Sequence, residues 1–200
     1  PGISNVEIDN KLAQIATHSH RQLWVNTSNA FFVEQINKLV SPISKKGALT
    51  FCFETQGNNQ GREIGVDLLP HGLSIILELF GDNVISNLYE KYSTSSYSCQ
   101  FNYGENKVVF NFYENQNAVK KMIIELDGRQ FTRCQEGAGV NYKVLFQDSH
   151  TLKKIEIEDP FKVYINKFLN SLREDLSEND EFEVATKNLR LMGKILLEST

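Results

Sequence analysis

The run YSCQFNYGENKVVFNFY, Tyr97 to Tyr113, decides the fold. Tyr97, Cys99, Phe101 and Tyr103 fall on every second position, with Ser98, Gln100 and Asn102 between them, which is the period of a strand with one buried face. Gly104-Glu105-Asn106 supplies turn residues, and Val108, Phe110 and Phe112 then resume the alternation. Strands joined this tightly pair antiparallel.

Toward the C-terminus the pattern repeats. Ile123-Ile124-Glu125-Leu126 runs into Asp127-Gly128, a pair that accepts the positive φ angles of a type I′ turn, and closure there sets Leu126 opposite Arg129 and Ile124 opposite Phe131. Gly137-Ala138-Gly139 precedes another strand, Val140 to Phe146, and Asp148-Ser149-His150 precedes one ending near Glu158. Residues 97–158 are therefore expected to form an antiparallel meander of about five strands, in a chain with about five to seven in all.

Helices flank the meander. Ser4 and Glu7 form a capping box ahead of the apolar stripe Ile8, Leu12, Ile15 and Leu23, and Phe32, Ile36, Leu39 and Val40 mark a second helix that stops before Pro42. Ala48 to Glu54 and Glu63 to Leu68 read as a hairpin across a polar loop. Pro70 suits the first turn of a helix carrying Leu73, Ile76, Leu77 and Phe80, and Asp82 is placed to cap another that buries Val84, Ile85 and Leu88. Asp159-Pro160 opens a long amphipathic helix through Phe161, Ile165, Phe168, Leu172 and Leu176, and Asp180 with Glu183 caps a last one. The expectation is one α+β domain over residues 1–200, an antiparallel meander packed against N-terminal and C-terminal amphipathic helices. Its parts are helices 4–41, a hairpin 48–68, helices 70–92, the meander 97–158 and a helical hairpin 160–198.

Composition narrows the function. The 200 residues are 40% hydrophobic and 23% charged, ordinary for a globular protein, and the net charge of −4 argues against a nucleic-acid surface, which needs clustered cations. Lys45-Lys46, Lys120-Lys121 and Lys153-Lys154 are spread along the chain and read as solvated strand ends. Cys52, Cys99 and Cys134, an odd count without close spacing, do not make a disulfide framework, so buried thiols in a soluble protein of a reducing compartment are expected. No apolar run spans a membrane. The chain opens Pro1-Gly2 as a trimmed end would, so an upstream targeting signal is not visible.

Candidate chemistry is sparse. Glu63, Gly65 and Asp67 fall on one face of the expected second hairpin strand with His71 just beyond, so two carboxylates and an imidazole can converge on a divalent cation or act as an acid–base pair, though no ligand spacing here is diagnostic. Cys134, ahead of a glycine-rich loop and one strand from Asp148 and His150, is a candidate nucleophile, although buried free cysteine is the commoner state. His18 and His20 are two apart and point in different directions on a helix. The loop Gly57 to Arg62 lacks the strand-to-helix setting and the Lys-Ser/Thr ending of a phosphate loop. Cations and aromatics interleave at Phe110, Phe112, Tyr113, Lys120, Arg129 and Arg133, but the aromatics alternate as core residues should.

With no convergent motif, no cofactor and no metal ion are expected. The sequence favours a non-enzymatic protein-interaction domain, such as a secreted bacterial effector or a toxin-neutralising protein, whose protein partner meets the acidic link of Glu174, Asp175, Glu178, Asp180 and Glu181. The alternatives are a hydrolase using Glu63, Asp67, His71 or Cys134, and a structural subunit that forms a homo-oligomer through its last two helices.

Overall fold

The computed structural model describes residues 28–40, 46–137, 142–174 and 180–198. The expected first helix with His18 and His20 lies outside the described residues, as do Pro42, the stretch 138–141, and Asp175 and Glu178 of the acidic link. The strands are β1 (Ala48–Thr55), β2 (Ile85–Ser93), β3 (Ser96–Tyr103), β4 (Asn106–Glu114), β5 (Lys121–Leu126), β6 (Arg129–Glu136), β7 (Lys143–Asp148) and β8 (Lys154–Ile157). After a short turn of 3-10 helix at Ser28–Ala30, the α-helices are α1 (Phe31–Leu39), α2 (Arg62–Phe80), α3 (Pro160–Glu174) and α4 (Asp180–Glu198). All eight strands form one sheet in the order β2-β3-β4-β1-β5-β6-β7-β8.

Hairpins written in local turn chemistry form as read. Leu126 pairs with Arg129 and Ile124 with Phe131, and Asp127 and Gly128 take φ angles of 49° and 79° at the turn. The wholly antiparallel meander is corrected to a mixed sheet, because β1 inserts between β4 and β5, parallel to the first and antiparallel to the second. Parallel neighbours need a crossover. β1 and β2 run in the same sense, so α2 is the crossover between them.

Two further expectations change. The second hairpin strand at 63–68 is the start of α2, and Pro70 lies inside that helix rather than in its first turn. Interior proline costs about 3 kcal/mol, but Ile64, Leu69, Leu73, Ile75 and Ile76 are all fully buried along the same helix, each contributing about 1.5–3 kcal/mol. Burial wins. The helix expected after Asp82 is instead the edge strand β2, with Val84 exposed. A register shift between Ser86 and Tyr89, with Asn87 at φ 53°, interrupts the two-residue period and hides the strand from a sequence reading.

The core lies on one face of the sheet. Leu49, Phe51 and Phe53 of β1, Phe110 and Phe112 of β4, and Met122 and Ile124 of β5 join the buried residues of α1, α2 and α4 in one cluster. On the other face Thr50, Cys52, Asn111, Ile123, Thr132 and Cys134 are all partly exposed. The cysteines are free thiols, but only Cys99 is buried, which corrects the expectation of three buried thiols. No helix among the described residues is long and apolar enough to cross a membrane.

Candidate functional site

The site begins with how α2 is seated. A Cβ on Gly65 would lie 2.6 Å from the Tyr97 ring and one on Gly72 2.8 Å from the Phe110 ring, so only glycine at these two positions lets the helix lie this close to β3 and β4. At its start Arg62 grips Glu90 through Nε and Nη2 at 3.4 and 3.0 Å, and the Tyr97 hydroxyl donates to the same carboxylate. Midway, Asn188 of α4 donates to the Pro70 carbonyl at 2.9 Å and to Ser74 Oγ at 3.0 Å. The helix is pinned on both sides of His71.

Asp67 and His71 follow one turn apart, the spacing that places side chains on one helix face, and both line a cavity of about 360 Å³. Asn29, Thr55 and Gln56 also line it, its charged groups besides Asp67 are Lys120, Arg133 and Asp159, and Tyr142 adds a hydroxyl, over an apolar floor that includes Phe53 and Met122. Phe53, Met122 and Arg133 stand in one cross-strand row on the core face of β1, β5 and β6.

The His71 ring meets Phe53 edge-on, with centroids 5.3 Å apart. Burial, and then the nearby Lys120 charge, hold its pKa below the ordinary histidine value against the opposing pull of Asp67. The imidazole is therefore neutral at physiological pH and free to take a proton. Lys120 is exposed overall, yet its ammonium lies 5.6 Å from the Phe53 centroid. Its pKa is pushed down by desolvation and by Arg133, while Asp159 acts the other way. Arg133 Nη2 donates to the Tyr142 hydroxyl at 2.7 Å, and Asp159 Oδ1 accepts the Phe161 N–H at 2.8 Å to cap α3.

Of the four sequence candidates, the structure brings two together. Asp67 and His71 share the cavity; Glu63, in the first turn of α2, is exposed and outside its lining. Cys134 stands on the opposite sheet face, its thiol 3.9 Å from the Thr132 carbonyl and from Gln147 Oε1. Among the described residues no group of three His, Cys, Asp or Glu side chains is placed to hold a metal ion. Glu174 closes α3 and Asp180 and Glu181 open α4, so the acidic link joins two helices well away in sequence from the cavity's helix. The sequence reading missed Arg133 as a site residue, although its own register pointed there. Two residues beyond the Ile124–Phe131 pair, Met122 faces Arg133, which places a cation on the core face.

No family model matches the sequence, and no curated protein matches it. Solved structures share the fold. An oxidoreductase of the Gfo/Idh/MocA family from Vibrio cholerae superposes with a TM-score of 0.57 at 10% identity, over 98% of this chain and 66% of that one. A dehydrogenase from Clostridium difficile gives 0.62 at 15% identity, over 98% and 68%. A 3-ketoreductase from Actinomadura kijaniata, solved in complex with NADP, gives 0.64 at 11% identity, over 94% and 64%. At such identities the likeness is one of fold, and the chain spans about two thirds of the length of these enzymes. The expectation of a non-enzymatic interaction domain, effector or toxin-neutralising protein with a protein as its main partner is corrected here: the three solved structures just named that share the fold are oxidoreductases and dehydrogenases.

Proposed function

We propose that this chain forms the substrate site of an oxidoreductase that interconverts a hydroxyl and a carbonyl group on a small molecule, with His71 exchanging the proton of the reacting oxygen. The observation that carries this reading is the Asp67–His71 pair, one helical turn apart at the wall of the cavity. Neutral imidazole is the form that accepts a hydroxyl proton as the carbinol carbon is oxidised. The Asp67 carboxylate then favours the imidazolium, and in the reverse direction the proton returns to the carbonyl oxygen. About 360 Å³ sits at the small end of the roughly 300–1,000 Å³ usual for ligand pockets.

Removal of hydride needs an acceptor, such as the NADP of the Actinomadura enzyme. The loop that leads into α2 does not fit its phosphates. The loop between β1 and α2 does have the strand-to-helix setting that the sequence reading denied it, but Glu114 fills it. Its carboxylate is buried, lies where a Gly57 Cβ would be, and accepts from Asn59 N at 3.1 Å and Nδ2 at 3.2 Å. A buried anion there repels pyrophosphate, so no residue of this loop is assigned to the carrier.

Turnover of small hydroxy and keto compounds, followed by nicotinamide absorbance, tests the reading. His71→Asn should lower kcat by about 10²–10⁴-fold with KM little changed. Asp67→Asn should lower it less. Full activity in His71→Asn would overturn the proposal.

A further inference from the structure

We propose that Lys120 and Arg133 form an anion-binding subsite of this cavity, which holds a carboxylate or phosphate of the substrate and directs its reacting oxygen toward His71. The inference rests on the reading of Asp67 and His71 just given and adds the class of molecule they act on.

Arg133 is placed for an anion. It occupies a core-face row between Met122 and Phe146, a place that solubility does not explain. Arg62, Arg129 and Arg190 each meet a carboxylate, at 3.0, 2.5 and 2.7 Å. Arg133 has no ion pair among the described residues, and its contact is the neutral Tyr142 hydroxyl, which orients the guanidinium without neutralising it. A planar fork of this kind matches the two oxygens of a carboxylate or phosphate.

Lys120 is the second cation. Its ammonium, likewise without an ion pair among the described residues, is close enough to Arg133 for that charge to disfavour its own protonation, and the opposing influence of Asp159 is the smaller of the two. Two cations held against their repulsion leave a positive field that a bound anion relieves. Asp67 acts on His71, so an anionic group is turned away from that end of the cavity, while Asp159 offsets only part of the positive field at Lys120. Phe53 and Met122, in the same row as Arg133, offer an apolar floor to the carbon skeleton between the two ends.

Calorimetric titration at low ionic strength with inorganic phosphate, succinate and, as a neutral control, glycerol tests this. Phosphate or succinate should bind and glycerol should not, and the tighter anion names the group recognised. Lys120→Gln and Arg133→Gln should each weaken that binding by at least about tenfold, and saturation with the anion should raise the His71 midpoint in an NMR titration as the Lys120 charge is neutralised. Lys120 is exposed, so its variant keeps the test valid should Arg133→Gln fail to fold. Absence of binding by either anion, or binding unchanged in the folded variants, overturns the subsite. Anion binding that survives in His71→Asn separates this inference from the proton-transfer reading.

Discussion

His71 is an imidazole kept uncharged by its surroundings, and that sets two pH effects. Its folded pKa is below 6.5, so activity that needs the neutral ring should persist on the acid side past the point where a free histidine fails. Lys120→Gln removes one cause of the depression, so the acid limb of kcat/KM should move to higher pH. The sign for stability is the same. Between the lowered value and 6.5 the unfolded chain binds the proton that the folded one refuses, and His71 therefore costs stability as pH falls through that window. Asp148 works further down the scale. Its fully buried carboxyl is held well below the usual range, chiefly by Arg129, with the Thr151 hydroxyl and the His150 N–H adding to the effect. Its stabilisation is present above pH 4 and lost as acid protonates it, so Asp148→Asn should flatten the acid limb of a stability–pH curve.

Among the elements, α2 sets the site. Gly65→Ala should cost about 1–3 kcal/mol by forcing the helix off the Tyr97 ring. The same change should lower kcat, because Asp67 and His71 ride on the displaced turns. Asn188→Ala should cost about 1 kcal/mol, read from denaturant midpoints, since Ser74 Oγ still serves the Pro70 carbonyl at 2.7 Å. This helix was also where sequence reading failed. Pro70 read locally marks the first turn of a helix, and only burial summed over the whole of α2 outweighs the cost of holding it in the interior. The Asp127-Gly128 hairpin was legible because its instruction is local; β2 was not, because a bulge at Asn87 erased its alternation.

At the scale of the molecule, β1 is the strand most remote from its partners. Thr50 pairs with Val109 on one side and Glu125 on the other. Contacts this distant in sequence give slow folding, about milliseconds to seconds. Phe51 is fully buried in β1 against Phe110 and Phe112, and Phe51→Ala should cost about 3–5 kcal/mol by loss of packing and a residual cavity. The same remoteness hid the cavity. Asp67 and His71 are neighbours on one helix, whereas Lys120, Arg133, Tyr142 and Asp159 arrive on four separate stretches of chain.

The alternation of the strands leaves one practical opportunity. Cys52 adjoins Phe53 and Cys134 adjoins Arg133, yet both thiols are on the partly exposed side of the sheet while their neighbours line the cavity. Burial raises the Cys52 pKa and slows its reaction. A fluorophore or surface tether coupled through Cys134 would sit one residue from the cavity wall without entering it. The protein thus carries its own attachment point, behind the chemistry and on the same strand.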